Sequence, residues 1–225
     1  MIIWLASYPK SGNTWVRSFL SSLLFNKNNE ANLSEISKID QYPKRSHFIN
    51  LVNEIDSLEK LSLNWIASQK LINKDGKIRF LKTHHALCKY QNSFFTNGEV
   101  SLGTIHIVRD PRNVITSIKN HYNYESYDKA LKFIKDEKNM IGVKGSKKEM
   151  DLPTLISSWK IHFNSWRNLT KLKNNYFLIK YEDLIKNPFN EFLRITNFIS
   201  KISKLKFDEK NILKSDENTS FESLK

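Results

Sequence analysis

The chain has 225 residues, 40% of them hydrophobic, which suffices for one sizeable core and predicts a single domain over residues 1–225. No run of eighteen apolar residues occurs, no basic and then apolar leader opens the chain, and Cys88 is the only cysteine; a membrane span, a signal peptide and an internal disulfide are therefore not expected, and a reducing, cytoplasmic setting is. The 36 Lys and Arg against 23 Asp and Glu leave a formal charge of +13, but the lysines are scattered, with one local cluster in Gly142–Lys148, so a solvated surface that helps steer anionic ligands is predicted, with no specific nucleic-acid partner.

Apolar runs and helical periodicity alternate along the chain. A buried strand is predicted at Ile2–Ser7, where Ile2-Ile3-Trp4-Leu5-Ala6 is short, apolar and β-favouring. Pro9 and Gly12 punctuate it. Trp15, Val16, Phe19, Leu20, Leu23 and Leu24 then recur at helical spacing, predicting a helix over Thr14–Phe25 with Asn13 or Thr14 as its cap. The polar stretch Asn26–Arg45 reads as a loop, followed by helix within His47–Asn73, a strand at Arg79–Thr83 and another at Thr104–Val108. Helices are predicted at Asn113–Tyr122, Tyr127–Lys138 and Leu152–Lys171, separated by a second loop, Asn139–Asp151. A strand at Tyr176–Lys180 and helices at Pro188–Ser200 and Asp208–Lys214 complete the pattern. The alternation implies an α/β fold, a parallel sheet flanked by helices.

The strand–turn–helix at the start exposes backbone N–H groups at the positive end of a helix, with Lys10 adding a full charge, which suits a phosphate or a sulfate. It is not a Walker loop, because Lys10 precedes Gly12. Lys82 and His84 lie two apart at the end of a strand and share one face if the segment stays extended, whereas His85 points the other way, so only one of the two histidines can meet a ligand there. An imidazole is largely neutral at pH 7 and can accept a hydroxyl proton. Arg109 and Ser117, eight apart across a turn in which Asp110 caps and Pro111 starts a helix, can grip one phosphate. Trp15, Tyr181 and Phe221 offer aromatic faces for a purine or simply fill the core. Trp159 and Trp166 read as core, and the other histidines show no metal-ligand spacing.

Tyr8-Pro9-Lys10-Ser11-Gly12-Asn13-Thr14-Trp15 resembles the phosphosulfate loop of sulfotransferases that use 3′-phosphoadenosine 5′-phosphosulfate (PAPS). Lys82-Thr83-His84 is similar to that family's segment with the catalytic base, and Ile105–Ser117 to the strand–turn–helix that holds the 3′-phosphate. Tyr181-Glu182-Asp183-Leu184 and Thr219-Ser220-Phe221 resemble its adenine-side contacts. The resemblance spans essentially the whole chain. It implies a P-loop-NTPase-like three-layer sandwich and a sulfotransferase that turns PAPS into 3′,5′-ADP without a metal, with a small-molecule or glycan acceptor bearing a hydroxyl or amine. Lys10, His84 and Lys82 are then the catalytic residues. Lys10, Ser11, Gly12, Asn13, Thr14, Trp15, Arg109, Ser117, Tyr181, Thr219 and Phe221 bind the donor. The family's closing Arg-Lys-Gly element has no counterpart before Lys225. Two other readings fit parts of the pattern: a nucleotide kinase-like phosphotransferase, which shares the strand–loop–helix, and a non-catalytic basic nucleic-acid-binding protein.

Overall fold

A computed structural model describes residues 1–26, 35–55, 57–142, 152–168 and 175–219. Strand β1 (Ile2–Ser7) leads through the turn into helix α1 (Asn13–Phe25), and a short edge strand β2 (Asp40–Gln41) follows. Helices α2 (Leu58–Leu63) and α3 (Trp65–Ile72) precede β3 (Arg79–Thr83) and a small hairpin, β4 (Lys89–Tyr90) with β5 (Ser93–Phe94). Next come β6 (Ser101–Val108), α4 (Pro111–His121), α5 (Tyr127–Lys135) and a second hairpin of β7 (Met140–Ile141) and β8 (Thr154–Leu155). Helix α6 (Trp159–Arg167), β9 (Tyr176–Lys180), α7 (Tyr181–Lys186), α8 (Pro188–Ser203) and α9 (Glu209–Asn218) close the described chain.

Five strands form one sheet in the order β2-β3-β1-β6-β9, and every pair is parallel. β1 is central and all six of its residues are buried, as its continuous apolar run requires. Its side chains alternate between two cores. Ile3 and Leu5 pack with Trp15, Phe19, Phe192 and Ile195 on one face, while Ile2, Trp4 and Ala6 meet Tyr42, Trp65, Phe95 and Trp166 on the other. A third cluster around Val114, Ile118, Ala130 and Ile134 ties α4 to α5. Because β3 and β6 lie on opposite sides of β1, the carboxyl ends of these strands frame the crevice where open α/β sheets bind ligands.

The predicted strands Ile2–Ser7, Arg79–Thr83 and Tyr176–Lys180 match the observed limits. β6 begins three residues before the predicted Thr104, at Ser101, running through Gly103, where a β-carbon would stand 2.9 Å from the Asn175 carbonyl oxygen and 2.6 Å from Ile202 Cδ1, so the backbone leading into β9 leaves no room for a side chain. The predicted helix Leu152–Lys171 is corrected. Thr154–Leu155 is strand, Ser157 has φ +59°, and the helix starts only after Ser158, whose hydroxyl accepts from the Ile161 amide at 3.3 Å. Likewise α1 is capped by Gly12, not by the side chain of Asn13 or Thr14, and α5 ends at Lys135. Asp110 and Pro111 start α4 as expected, with the Asp110 carboxylate accepting from the Arg112 amide.

Candidate active site

The turn after β1 is built on two left-handed residues, Lys10 at φ +66° and Gly12 at φ +94°. Glycine is required at the second, since a β-carbon on Gly12 would lie 2.3 Å from Tyr181 Cδ2 in addition to the unfavourable φ. The aromatic ring of Tyr181 therefore rests directly on the turn. The Arg109 guanidinium sits over that ring at 4.6 Å and donates to the Lys10 carbonyl at 3.1 Å, so the ends of β6 and β9 lock the turn from one side.

These residues line a cleft of about 580 Å³ at the carboxyl ends of the strands. Lys10, Gly12, Asn13 and Thr14 form its floor with Lys82, His84, Arg109, Ser117 and Tyr181 around it, and Arg17, Gln41 and His121 complete its polar wall. Among the described lining residues there are two lysines and two arginines and no carboxylate. That one-sided charge fits a polyanion. Arg109 and Ser117 line the same wall of the cleft, and the buried Arg109 Nε has no hydrogen-bond partner within the protein.

The two adjacent histidines are split as the extended segment demands. His84 faces the cleft; its Nδ1 lies 2.7 Å from the Ser7 carbonyl, and burial, reinforced by the charges of Lys82, Arg17 and Lys10, holds its pKa well below the ordinary imidazole value. His85 is fully buried on the opposite side, stacked on Phe95 at 4.3 Å and edge-on to Trp65 at 4.8 Å, with its pKa lowered by burial to about 4. Lys82 donates to Gln41 Oε1 at 2.6 Å. Burial, with the Arg17 charge nearby, pulls its pKa down to about 7. Lys10 reaches across the cleft mouth, its Nζ 3.4 Å from His121 Nδ1.

Not every side chain singled out from the sequence reaches into the cleft. Ser11 is buried on the far side of the turn, beside His106, Trp159 and His162. The side chain of Asn13 turns inward and donates to the Leu5 carbonyl and Ser7 Oγ. Trp15 is 5% exposed and packs edge-on against Tyr181 and Phe192, behind the cleft wall. Thr219 is buried at the end of α9, its hydroxyl bonded to the Ser215 carbonyl, and Phe221 lies outside the described residues.

A profile of the family described as "Sulfotransferase domain" matches residues 2–225. The chain belongs to this sulfotransferase family. A mouse protein named sulfotransferase 1 family member D1 is 26% identical over 206 residues, covering 88% of this chain and 59% of the mouse protein. The firefly Photinus pyralis luciferin sulfotransferase is 23% identical, covering 98% of this chain and 56% of its own length. The chain thus spans somewhat less than two thirds of these relatives. Among solved structures, a mouse sulfotransferase complexed with PAP aligns with TM-score 0.58 at 18% identity, over 99% of this chain and 65% of that one. Retinol dehydratase in a complex with retinol and PAP aligns with TM-score 0.60 at 18% identity, over the same shares. These likenesses show the sulfotransferase fold, a parallel sheet flanked by helices.

Within this fold, Arg17, Gln41 and His121 are among the cleft residues that the sequence reading did not assign to the site. Arg17 follows Thr14 by three positions and so shares its helical face, a signal hidden among the apolar repeats of α1; its Nη2 donates to the carbonyls of Ile36 and Ile39, anchoring the chain that leads to β2. Gln41 sits on a two-residue edge strand that no periodicity announces. His121 ends α4 one turn beyond Ser117. Among the described residues no helix is long and apolar enough to cross a membrane, and no cluster of three or more His, Cys, Asp or Glu could hold a metal ion.

Proposed function

We propose that the chain transfers a sulfuryl group from PAPS to a hydroxyl or amine of a small-molecule acceptor and releases 3′,5′-ADP. The observation that carries this reading is a carboxylate-free cleft in which the Lys10 turn, Lys82, His84 and the Arg109–Ser117 pair converge at the carboxyl ends of the sheet. The donor would supply the sulfuryl group. In this reading the α1 amides and Lys10 hold the 5′-phosphosulfate end, and charge preorganised there is worth ~3 kcal/mol or more where negative charge develops on departure. Arg109 and Ser117 hold the 3′-phosphate, and Tyr181, backed by Trp15, presents an aromatic wall to the adenine. His84 takes the acceptor's proton on Nε2, the nitrogen not engaged by Ser7, an effect worth ~10²–10⁴-fold. Lys82, when charged, adds a second cation beside the transferring group.

A second cavity of about 610 Å³ meets the cleft at Ile141 and is walled mainly by Leu58, Tyr90, Met140, Pro153 and Leu155, with Glu59, Glu137 and Lys138 also in its lining. The apolar part of this lining suits the body of a small acceptor. The predicted loop Asn139–Asp151 contributes Met140 to Gly142 to it, and its residues 143–151 lie outside the described ones. A magnesium-dependent kinase would need carboxylate ligands that the described cleft lining does not offer. A nucleic-acid-binding protein would be expected to spread its cations along an open stripe, whereas Lys10, Arg17, Lys82 and Arg109 line one cleft.

Calorimetry tests the assignment. We expect 3′,5′-ADP to bind at least tenfold tighter than 5′-AMP, and Arg109→Ala and Ser117→Ala to remove that preference while leaving 5′-AMP affinity within a few-fold. Equal losses for the two nucleotides would move both residues out of the 3′-phosphate site, and tight binding of ATP alone would favour the kinase.

A further inference from the structure

We infer that Ser7 and Asn13, neither of which touches the cleft's reacting atoms, are positioning residues that fix the tautomer and orientation of His84. The inference rests on the base assignment proposed above and adds the device that makes this histidine a base. His84 Nδ1 lies 2.7 Å from the Ser7 carbonyl oxygen and 3.2 Å from Ser7 Oγ. A carbonyl only accepts, so the proton is on Nδ1 and the lone pair is on Nε2, which is the state a general base needs. The opposite tautomer would face the Ser7 carbonyl with a lone pair.

Ser7 is itself held. It is fully buried at the end of β1, and its hydroxyl accepts from Asn13 Nδ2 at 3.1 Å. The same amide donates to the Leu5 carbonyl at 3.0 Å, which sets its orientation, because only the NH₂ end can meet a carbonyl. Asn13 is the first residue of α1, one position past the Gly12 cap, and its side chain turns inward to β1, away from the free amides of the first turn. Its Oδ1 is buried with no partner, so the inward pose satisfies the NH₂ group at the expense of the oxygen. The outcome is a continuous link from the first turn of the anion-binding helix, through the end of β1, to the base at the end of β3. Strand β1 also joins β3 by five register pairs, so a shift of the Ser7 carbonyl is transmitted to the segment that carries His84.

The experiment uses imidazole ¹⁵N shifts of His84 in the full chain at pH 7, alongside kcat and the Kd for 3′,5′-ADP. In the unmodified protein the Nδ1–H tautomer should dominate. In Asn13→Leu, which keeps the branched side-chain skeleton and removes the donor, the His84 spectrum should shift towards mixed tautomers and kcat should fall at least tenfold. Ser7→Ala, the smaller perturbation, should move both readouts in the same direction, and Ser7→Thr, which restores the hydroxyl, should return them. An Nε2–H tautomer in the unmodified protein, or an unchanged His84 spectrum and kcat in both Asn13→Leu and Ser7→Ala, overturns the inference. The spectrum decides this without turnover, so a protein that holds the predicted tautomer but binds no 3′,5′-ADP would refute the proposed activity alone.

Discussion

Lys82 shows how a single side chain's surroundings can set when a site works. Its ammonium is buried with one acceptor, Gln41 Oε1, and lies near the Arg17 charge, so its pKa falls from the ordinary lysine value to about 7. In the free protein the amine therefore loses its proton as pH rises through about 7, and the cation it would offer the transferring group disappears. Since kcat/KM for the donor reports the free protein, that quantity should decline above pH 7 by up to tenfold per unit. A guanidinium stays charged throughout this range. Lys82→Arg should consequently lose the alkaline limb even if its plateau is lower, and a wild-type profile that stays flat from pH 6.5 to 9 would remove Lys82 from the reaction.

At the scale of elements, the helix that follows the second hairpin offers a direct test of where it begins. Ser158 is 6% exposed and accepts from the Ile161 amide, so Ser158→Ala should cost about 1 kcal/mol and lower the thermal midpoint by about 2–4 °C. Had the helix started at Leu152, Ser158 would be an interior residue and alanine there would be neutral or stabilising. The sign of the shift in a thermal melt separates the two. That error came from Leu152, Leu155 and Ile156, which mimic helical spacing although Ser157 adopts φ +59°. Elements that bury themselves locally were readable: β1 announces itself by an unbroken apolar run, and α4 by its Asp-Pro start. Short α7 and edge strand β2 were not, because tertiary contact with Gly12 and β3 defines them more than pattern does. The same division holds for the site. Motif and alternation placed Lys10, His84, Arg109, Ser117 and Tyr181 in one cleft and sent His85 away, whereas the inward turn of Asn13 depends on a carbonyl eight residues back in sequence, which no spacing rule identifies.

Taken over the whole molecule, the buried histidines dominate the response to acid. His85, His106 and His162 are each no more than 1% exposed, with pKa values lowered by burial to about 4 for His85, about 3 for His106, and well below the ordinary value for His162. The unfolded chain binds protons at these residues near pH 6.5 and the folded chain does not, so stability rises with pH across this window and is lost as pH falls below it. For His85, lowered from 6.5 to about 4, the loss at pH 5 is about 2 kcal/mol, His106 contributes a loss of similar size and His162 acts in the same direction, so together they remove a large part of the ~5–15 kcal/mol that holds a typical protein folded. His84 acts with the same sign, and acidification also adds to a net charge that is already +13. Urea midpoints should therefore fall steeply between pH 6.5 and 4.5 while remaining nearly level from 7 to 8. His85→Phe exchanges the imidazole for a ring that can keep the stack on Phe95, giving up the bond to the Ala86 carbonyl; it should lower the midpoint at pH 7.5 but make its acid decline shallower. A wild-type midpoint that does not move between pH 7 and 5 would mean that these imidazoles are protonated equally in the folded and unfolded chain.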